Sequence, residues 1–214
     1  MEAKEAIARR VARELRDGDV VNLGIGLPTL VPAYLPADVH ITLQSENGFL
    51  GLGPLVGEPM PNVVNAGGKP CGLQPGAAMF DSATSFALIR GGHVDLTVLG
   101  GLQVDQEANL ANWMVPGKLV PGMGGAMDLV TGAKRVIVAM EHTTKDGEPR
   151  LLERCTLPLT AKGRVSMVVT ELAVFTFVDK RFVLDELAPG VTLEAVRHKT
   201  GADFAVGERL RRLL

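Results

Sequence analysis

Ser45-Glu46-Asn47-Gly48 places a carboxylate at the tip of a tight turn, directly after the extended run Val39-His40-Ile41-Thr42-Leu43-Gln44. That run is β-branched and apolar enough to read as a buried strand. Asn47-Gly48 tolerates positive φ, so the chain can reverse sharply and project Glu46 outward. Glycines continue through Gly48-Phe49-Leu50-Gly51-Leu52-Gly53-Pro54, with no bulky polar side chain to bar a large ligand. A carboxylate held on a strand end among glycines suits a nucleophile or a general base. The same Asn-Gly pair is also a common hairpin turn, and the local pattern alone favours that plainer reading.

The elements that must position this turn follow from periodicity. Residues 3 to 16 read as an amphipathic helix, with Ile7, Val11 and Leu15 on its inner face and Asp17-Gly18 ending it. Asp19-Val20-Val21-Asn22-Leu23 reads as a strand, and Gly24-Ile25-Gly26 as a turn into a short helix led by Pro28. Strand, glycine turn, helix is an arrangement that binds phosphate. Here it lacks both the third glycine of a dinucleotide fingerprint and the Lys-Ser/Thr of a P-loop, so neither is supported. Ser82 to Arg90 reads as a helix stopped by Gly91-Gly92. Strands are expected at 93–100, 135–140, 165–170 and 173–178, the last two pairing or running consecutively. Runs apolar at every position belong in a sheet covered on both faces. The expected fold is therefore α/β, a mostly parallel sheet covered by helices with added β ribbons, in a single domain over residues 1–214. The last ~15 residues are expected to be loosely held, since the basic Arg209, Arg211 and Arg212 alternate with leucines as a solvated amphipathic end does.

Composition narrows the function classes. The chain is 46% hydrophobic, enough for a large core, and its 25 glycines and 13 prolines imply many tight turns, against a coiled coil. A net charge of −2 and a pI of about 6.1 give no basic surface for nucleic acid or anionic membrane. The charged N-terminal segment lacks the apolar core of a signal peptide, and no apolar run reaches the ~18 residues of a membrane span. Cys71 and Cys155 are far apart and fit a reducing compartment, so a cytoplasmic location is expected. His40, His93, His142 and His198 share no metal-ligand spacing, and no metal is expected. Glu141-His142 invites acid/base pairing, but adjacent strand residues point to opposite faces.

Leu43-Gln44-Ser45-Glu46-Asn47-Gly48-Phe49-Leu50-Gly51 resembles, position for position, the glutamate signature of the family I CoA-transferases, which include the 3-oxoacid, acetoacetate and 3-oxoadipate CoA-transferases. Further segments resemble family motifs in order: Val21 to Thr29 the N-terminal glycine turn, Ser85 to His93 the end of a central helix, then Ala111 to Lys118, Gly122 to Asp128, and Cys155 to Thr160. The resemblance spans roughly residues 3 to 178 and is to the β subunit. It implies the fold shared with sugar-phosphate isomerases such as ribose-5-phosphate isomerase. It also implies ping-pong CoA transfer through an acyl-glutamyl anhydride and a glutamyl-CoA thioester on Glu46. In this scheme Ser45, Asn47 and Gly48 support the nucleophile, and the backbone of Gly124 and Gly125 receives developing oxyanion charge. Asn22, Gly24, Gly26 and Lys69 match the family's CoA contacts, Lys69 as a cation for phosphate. Asn65-Ala66-Gly67-Gly68-Lys69 carries one glycine more than the common family form, which offsets that lysine by a position.

The resemblance further implies CoA and acyl-CoA as substrates, with no tightly bound cofactor. Related enzymes pair two lobes, and the α lobe carries a Gly-Gly-Phe signature absent here. An α-subunit partner in an α2β2 assembly is therefore expected, with an interface above roughly 2,000 Å² if it resembles obligate ones. Two other readings stand beside this one. An isomerase on the same fold would use the carboxylate as a base and need no CoA. A non-catalytic CoA-binding subunit would have lost the glutamate, which is present. The acceptor acid is not legible in these residues.

Overall fold

The computed structural model describes residues 2–117 and 124–212; Lys118, Gly122 and Met123 of the sequence motifs lie outside the described residues. Helix α1 (Ala3–Ala12) leads into β1 (Val20–Leu23) and a 3-10 helix (Leu27–Tyr34). A meander follows, β2 (Thr42–Ser45), β3 (Phe49–Gly53) and β4 (Gly72–Met79), and then helix α2 (Ser82–Arg90). The middle of the chain supplies β5 (Leu96–Leu99), β6 (Gln103–Asp105), β7 (Leu110–Ala111), helix α3 (Ala126–Gly132) and β8 (Arg135–Ala139). It closes with β9 (Leu151–Leu152), β10 (Met167–Val169), β11 (Ala173–Val178), β12 (Arg181–Leu187), helix α4 (Leu193–Lys199) and β13 (Ala205–Arg212).

The strands form a ten-stranded sheet in the order β13-β12-β11-β10-β8-β5-β1-β2-β3-β4, and a three-stranded sheet β7-β6-β9. The central run β10-β8-β5-β1-β2 is parallel, and antiparallel ribbons extend it on both sides. This is the α/β architecture that the apolar runs require. Strand β8 shows why: Ile137 and Ala139 pack on the face covered by α1, and Val136 and Val138 on the opposite face with Ile89 of α2 and Leu129 and Val130 of α3. Ile7 and Val11 on α1 and Leu15 in the turn after it are buried as their spacing demands, each worth roughly 1.5–3 kcal/mol of apolar burial.

Three expectations need correction. Regular α-helix stops at Ala12 rather than 16, because the N–H groups of residues 13, 14 and 15 bond three residues back and tighten the last turn. Strand β2 starts at Thr42 rather than Val39, since Val39 N–H bonds back to Pro36 O in a turn. The C-terminal segment is an edge strand, not a loose tail: β13 pairs in parallel with β12, and Arg211 reaches the buried Glu186 carboxylate at 2.9 Å. No helix among the described residues is long and apolar enough to cross a membrane.

Candidate active site

The parallel strands β1, β2 and β5 all point their C-terminal ends to one edge of the sheet, the end at which open α/β sheets bind ligands. Glu46 sits there, at the tip of the β2–β3 hairpin. Gly48 closes the turn at φ 119°, a conformation closed to other L-residues, and a Cβ there would fall 2.0 Å from Phe80 O. Gly48 N–H donates to Ser45 O at 3.0 Å and Gly48 O accepts from Phe80 N–H at 3.0 Å. Within the hairpin Ser45 Oγ donates to Asn47 Oδ1 at 2.7 Å; beyond it Asn47 Nδ2 donates to Val64 O at 2.7 Å, and Ala66 N–H donates to Ser45 Oγ at 3.2 Å. The turn is thus bolted to the 64–66 loop, and the Glu46 side chain takes no part in those bonds.

Gly124 and Gly125 come up against that side chain. Cβ atoms built on them would lie 3.7 Å from Glu46 Oε1 and 3.2 Å from Glu46 Cδ. The backbone N–H of Gly125, which precedes α3, faces the Glu46 carboxylate closely enough to favour its charged form. Burial pushes the Glu46 carboxyl above the usual glutamate range, and the Gly125 N–H offsets only part of the rise. The result is a half-buried, partly desolvated carboxylate next to a donor at a glycine pair. Such a group is more basic and more nucleophilic than one in water. The Phe86 ring of α2 packs at the same place, 3.2 Å from the built Gly125 Cβ, and Arg90 of α2 bonds Asp128 of α3 at 2.7 Å, tying the two helices together.

A cleft of about 490 Å³ opens beside the turn, with Gln44 and Ser45 in its wall. Its lining is mainly apolar, including Leu23, Ile25, Leu43, Leu52 and Leu55, and it holds one cation, Lys69, together with Gly26. Gly26 and Lys69 therefore share this cleft, whereas Asn22 and Gly24 do not line it. Asn22 is 2% exposed and gives its Nδ2 to Gln44 Oε1 of the neighbouring strand at 2.7 Å. Gly24 packs on β5, its N–H donating to Val98 O at 2.8 Å. A cavity of about 670 Å³ between Glu107, Lys134, Arg164 and Lys180 lies at the other, N-terminal ends of β8 and β10, remote from Glu46.

The sequence pattern described as Coenzyme A transferase matches residues 4–199. The chain belongs to the coenzyme A transferase family. Among its relatives, the β subunit of the acetate CoA-transferase of Escherichia coli K12 is 69% identical over 98% of this chain and 97% of its own length. A second relative, the corresponding subunit of a probable succinyl-CoA:3-ketoacid coenzyme A transferase of Bacillus subtilis, is 54% identical over 97% of each chain. Among solved structures, the acyl-CoA transferase YdiF of Escherichia coli O157:H7 superposes with a TM-score of 0.81 at 23% identity, covering all of this chain and 43% of that one. The decarboxylase AibA/AibB superposes at 0.75 with 24% identity, covering 98% of this chain and 87% of that one. Both likenesses show the fold alone, and a decarboxylase among them means that the fold by itself does not set the reaction.

Sequence reasoning on this CoA-transferase chain missed Gln44, Ser85 and Phe86 as neighbours of Glu46. A signal existed: Asn22, Gln44 and Thr97 are each a polar residue inside a run that otherwise reads as a buried strand. Of the remaining polar candidates, His142 lies away from the hairpin, fully buried between the hydroxyls of Thr170 at 3.0 Å and Thr200 at 2.9 Å. Burial, aided by the charge of Lys199, pushes its imidazole down to about 4, so it stays neutral as a structural joint.

Proposed function

We propose that this chain is the glutamate-bearing β subunit of a CoA-transferase, acting with an α subunit to exchange CoA between an acyl-CoA and a short or 3-oxo carboxylic acid. The observation that carries the reading is the half-buried Glu46 carboxylate at the hairpin tip, in contact with Gly124 and Gly125. A Glu46 oxygen attacks the thioester carbonyl carbon, the C–S bond breaks, and CoA leaves as the thiolate, giving an acyl-glutamyl anhydride. The thiolate then attacks the glutamyl carbonyl and expels the first acid, leaving a glutamyl-CoA thioester. A second carboxylate attacks that thioester to form a new anhydride and release the thiolate. Attack of the thiolate on the new acyl carbonyl gives product acyl-CoA and regenerates Glu46. Each step exchanges one activated acyl group for another, so no large energy change is imposed on the enzyme.

The backbone amides at Gly124 and Gly125 supply oxyanion donors in this scheme, with glycine allowing the tetrahedral carbon to come close. The cleft beside Ser45 suits an apolar acyl chain or pantetheine arm, and Lys69 a phosphate or carboxylate. Relatives named for acetate and for 3-ketoacids support the short-acid class, and their subunit names support an α partner; an α2β2 stoichiometry is part of the proposal and rests on the family resemblance alone. Co-expression with an α subunit of such an enzyme tests the reading. The complex should transfer CoA from acetoacetyl-CoA to acetate with ping-pong kinetics, and Glu46→Gln should abolish transfer while the complex still assembles. Transfer that survives in pure Glu46→Gln complex would remove the glutamate from the mechanism.

A further inference from the structure

We propose that Ser85 and Gln44 are positioning residues for Glu46, consecutive links of a buried hydrogen-bond relay that fixes the peptide carrying the nucleophile. The proposal rests on the reading of Glu46 given above. Three register-matched residues, Gln44, Asn22 and Thr97, lie side by side across β2, β1 and β5. Exposure is 3% for Gln44, 2% for Asn22 and 0% for both Thr97 and Ser85. The bonds run one way: Asn22 Nδ2 donates to Gln44 Oε1 at 2.7 Å, Gln44 Nε2 to Ser85 Oγ at 2.9 Å, and Ser85 Oγ to Ser45 O at 3.2 Å. Bonds chained in one direction polarise one another, and a connected buried network is stiff.

The terminal acceptor gives the relay its role. Ser45 O belongs to the peptide unit that enters Glu46, so holding that carbonyl sets the direction in which the Glu46 side chain leaves the turn. It accepts from two donors, Gly48 N–H within the hairpin and Ser85 Oγ from α2. The next residue of α2, Phe86, packs beside Gly125. One helix therefore registers the nucleophile through Ser85 and the glycine donor through Phe86, in a common frame. Stability alone is a poor reason for this row. Burying polar side chains gains little over apolar ones, and Asn22 Oδ1 and Thr97 Oγ1 have no hydrogen-bond partner among the described residues. A polar row kept at the strand ends beneath a reactive carboxylate fits geometric control of that group.

The test is the rate at which a CoA adduct forms on Glu46 in the complex with its α subunit, by rapid quench with acetoacetyl-CoA followed by peptide mass analysis. Ser85→Ala should slow adduct formation and kcat together by about tenfold, with KM for acetoacetyl-CoA within about twofold of wild type. Gln44→Met, which keeps bulk and removes the donor to Ser85, should show the same split to a smaller degree. The double variant should be no slower than Ser85→Ala, because both changes break one relay. Adduct formation at the wild-type rate in Ser85→Ala, or effects of the two variants that multiply, would overturn the positioning role while leaving Glu46 as nucleophile. If Ser85→Ala does not fold, Gln44→Met alone decides between the same two outcomes. Absence of any adduct in the wild-type complex would instead overturn the reading of Glu46, and the relay's role with it.

Discussion

Gly125→Ala separates the geometry of the site from the stability of the fold. Gly125 has φ −84° and ψ 7°, which alanine adopts without strain, so the backbone does not demand glycine here. The demand comes from the neighbours: a Cβ would stand 3.2 Å from Glu46 Cδ and 3.2 Å from the Phe86 ring, where ordinary contact begins near 3.4 Å. The carboxylate, being the freer of the two, must retreat by a few tenths of an ångström. A misplacement of about 1 Å costs about 100-fold in rate, so a retreat of this size should cost roughly 3- to 10-fold in kcat. Stability should hardly change, since Gly→Ala at a compatible position gains about 0.4–1 kcal/mol through the unfolded state, against the mild crowding introduced. For a chain of this length that confines the Tm change to about 2–4 °C. The assay is CoA transfer from acetoacetyl-CoA to acetate by the assembled complex, with Tm measured on the same preparation. Wild-type kcat in Gly125→Ala would refute the claim that Gly125 lies against the reacting carboxylate, and a collapse in Tm would refute the argument that its backbone is unstrained.

Other consequences follow from the same structure. Burial raises the Glu46 carboxyl pKa on folding, so its stabilising contribution is present below the unfolded value and is lost as pH rises through the folded one; thermal scans from pH 4 to 8 should find Glu46→Gln the more stable protein at pH 8, with the gap narrowing toward pH 4. Arg10 holds the buried Glu186 carboxylate at 2.7 Å, and Arg211 would remain on Glu186 at 2.9 Å, so Arg10→Met should cost no more than the lower end of about 3–5 kcal/mol, and the Arg10→Met/Glu186→Leu pair distinctly less, in urea titrations of the complex. The Cys155 thiol is pushed up to about 12 by burial and by Asp105, which leaves a thiolate fraction on the order of 10⁻⁴ at pH 8; its reaction with a disulfide reagent in the native complex should be about a thousandfold slower than in the unfolded chain.

How much of this was legible before the fold was seen depends on what each residue's neighbours are. The parallel centre was legible because Leu96–Leu99 and Arg135–Ala139 are apolar on both faces, a pattern that only a covered sheet satisfies. The edge strands were not. Pro75, Gly72 and Gly76 leave β4 with no strand pattern, and the arginines of β13 make it read as a tail; both become strands through pairing with β3 and β12. In the site, the Glu46 turn was readable from local chemistry, since Asn-Gly after a strand has few alternatives. That Gly124-Gly125 meets it came from family likeness, because no local pattern spans that sequence distance. The bond from Asn22 to Gln44 was hidden for the converse reason: the place of Asn22 in the motif is visible in sequence, but the strand face that turns its Nδ2 onto Gln44 is set only when β1 pairs with β2.

The proposed mechanism requires CoA to become covalently attached to Glu46, and peptide mass mapping reads that attachment directly. The chain in complex with its α subunit is incubated with acetoacetyl-CoA, quenched in acid and digested. A CoA-sized mass increase is expected on the peptide containing Glu46, lost when acetate is added before the quench and absent from Glu46→Gln. An active complex with no adduct on that peptide, or with the adduct on another residue, would contradict it.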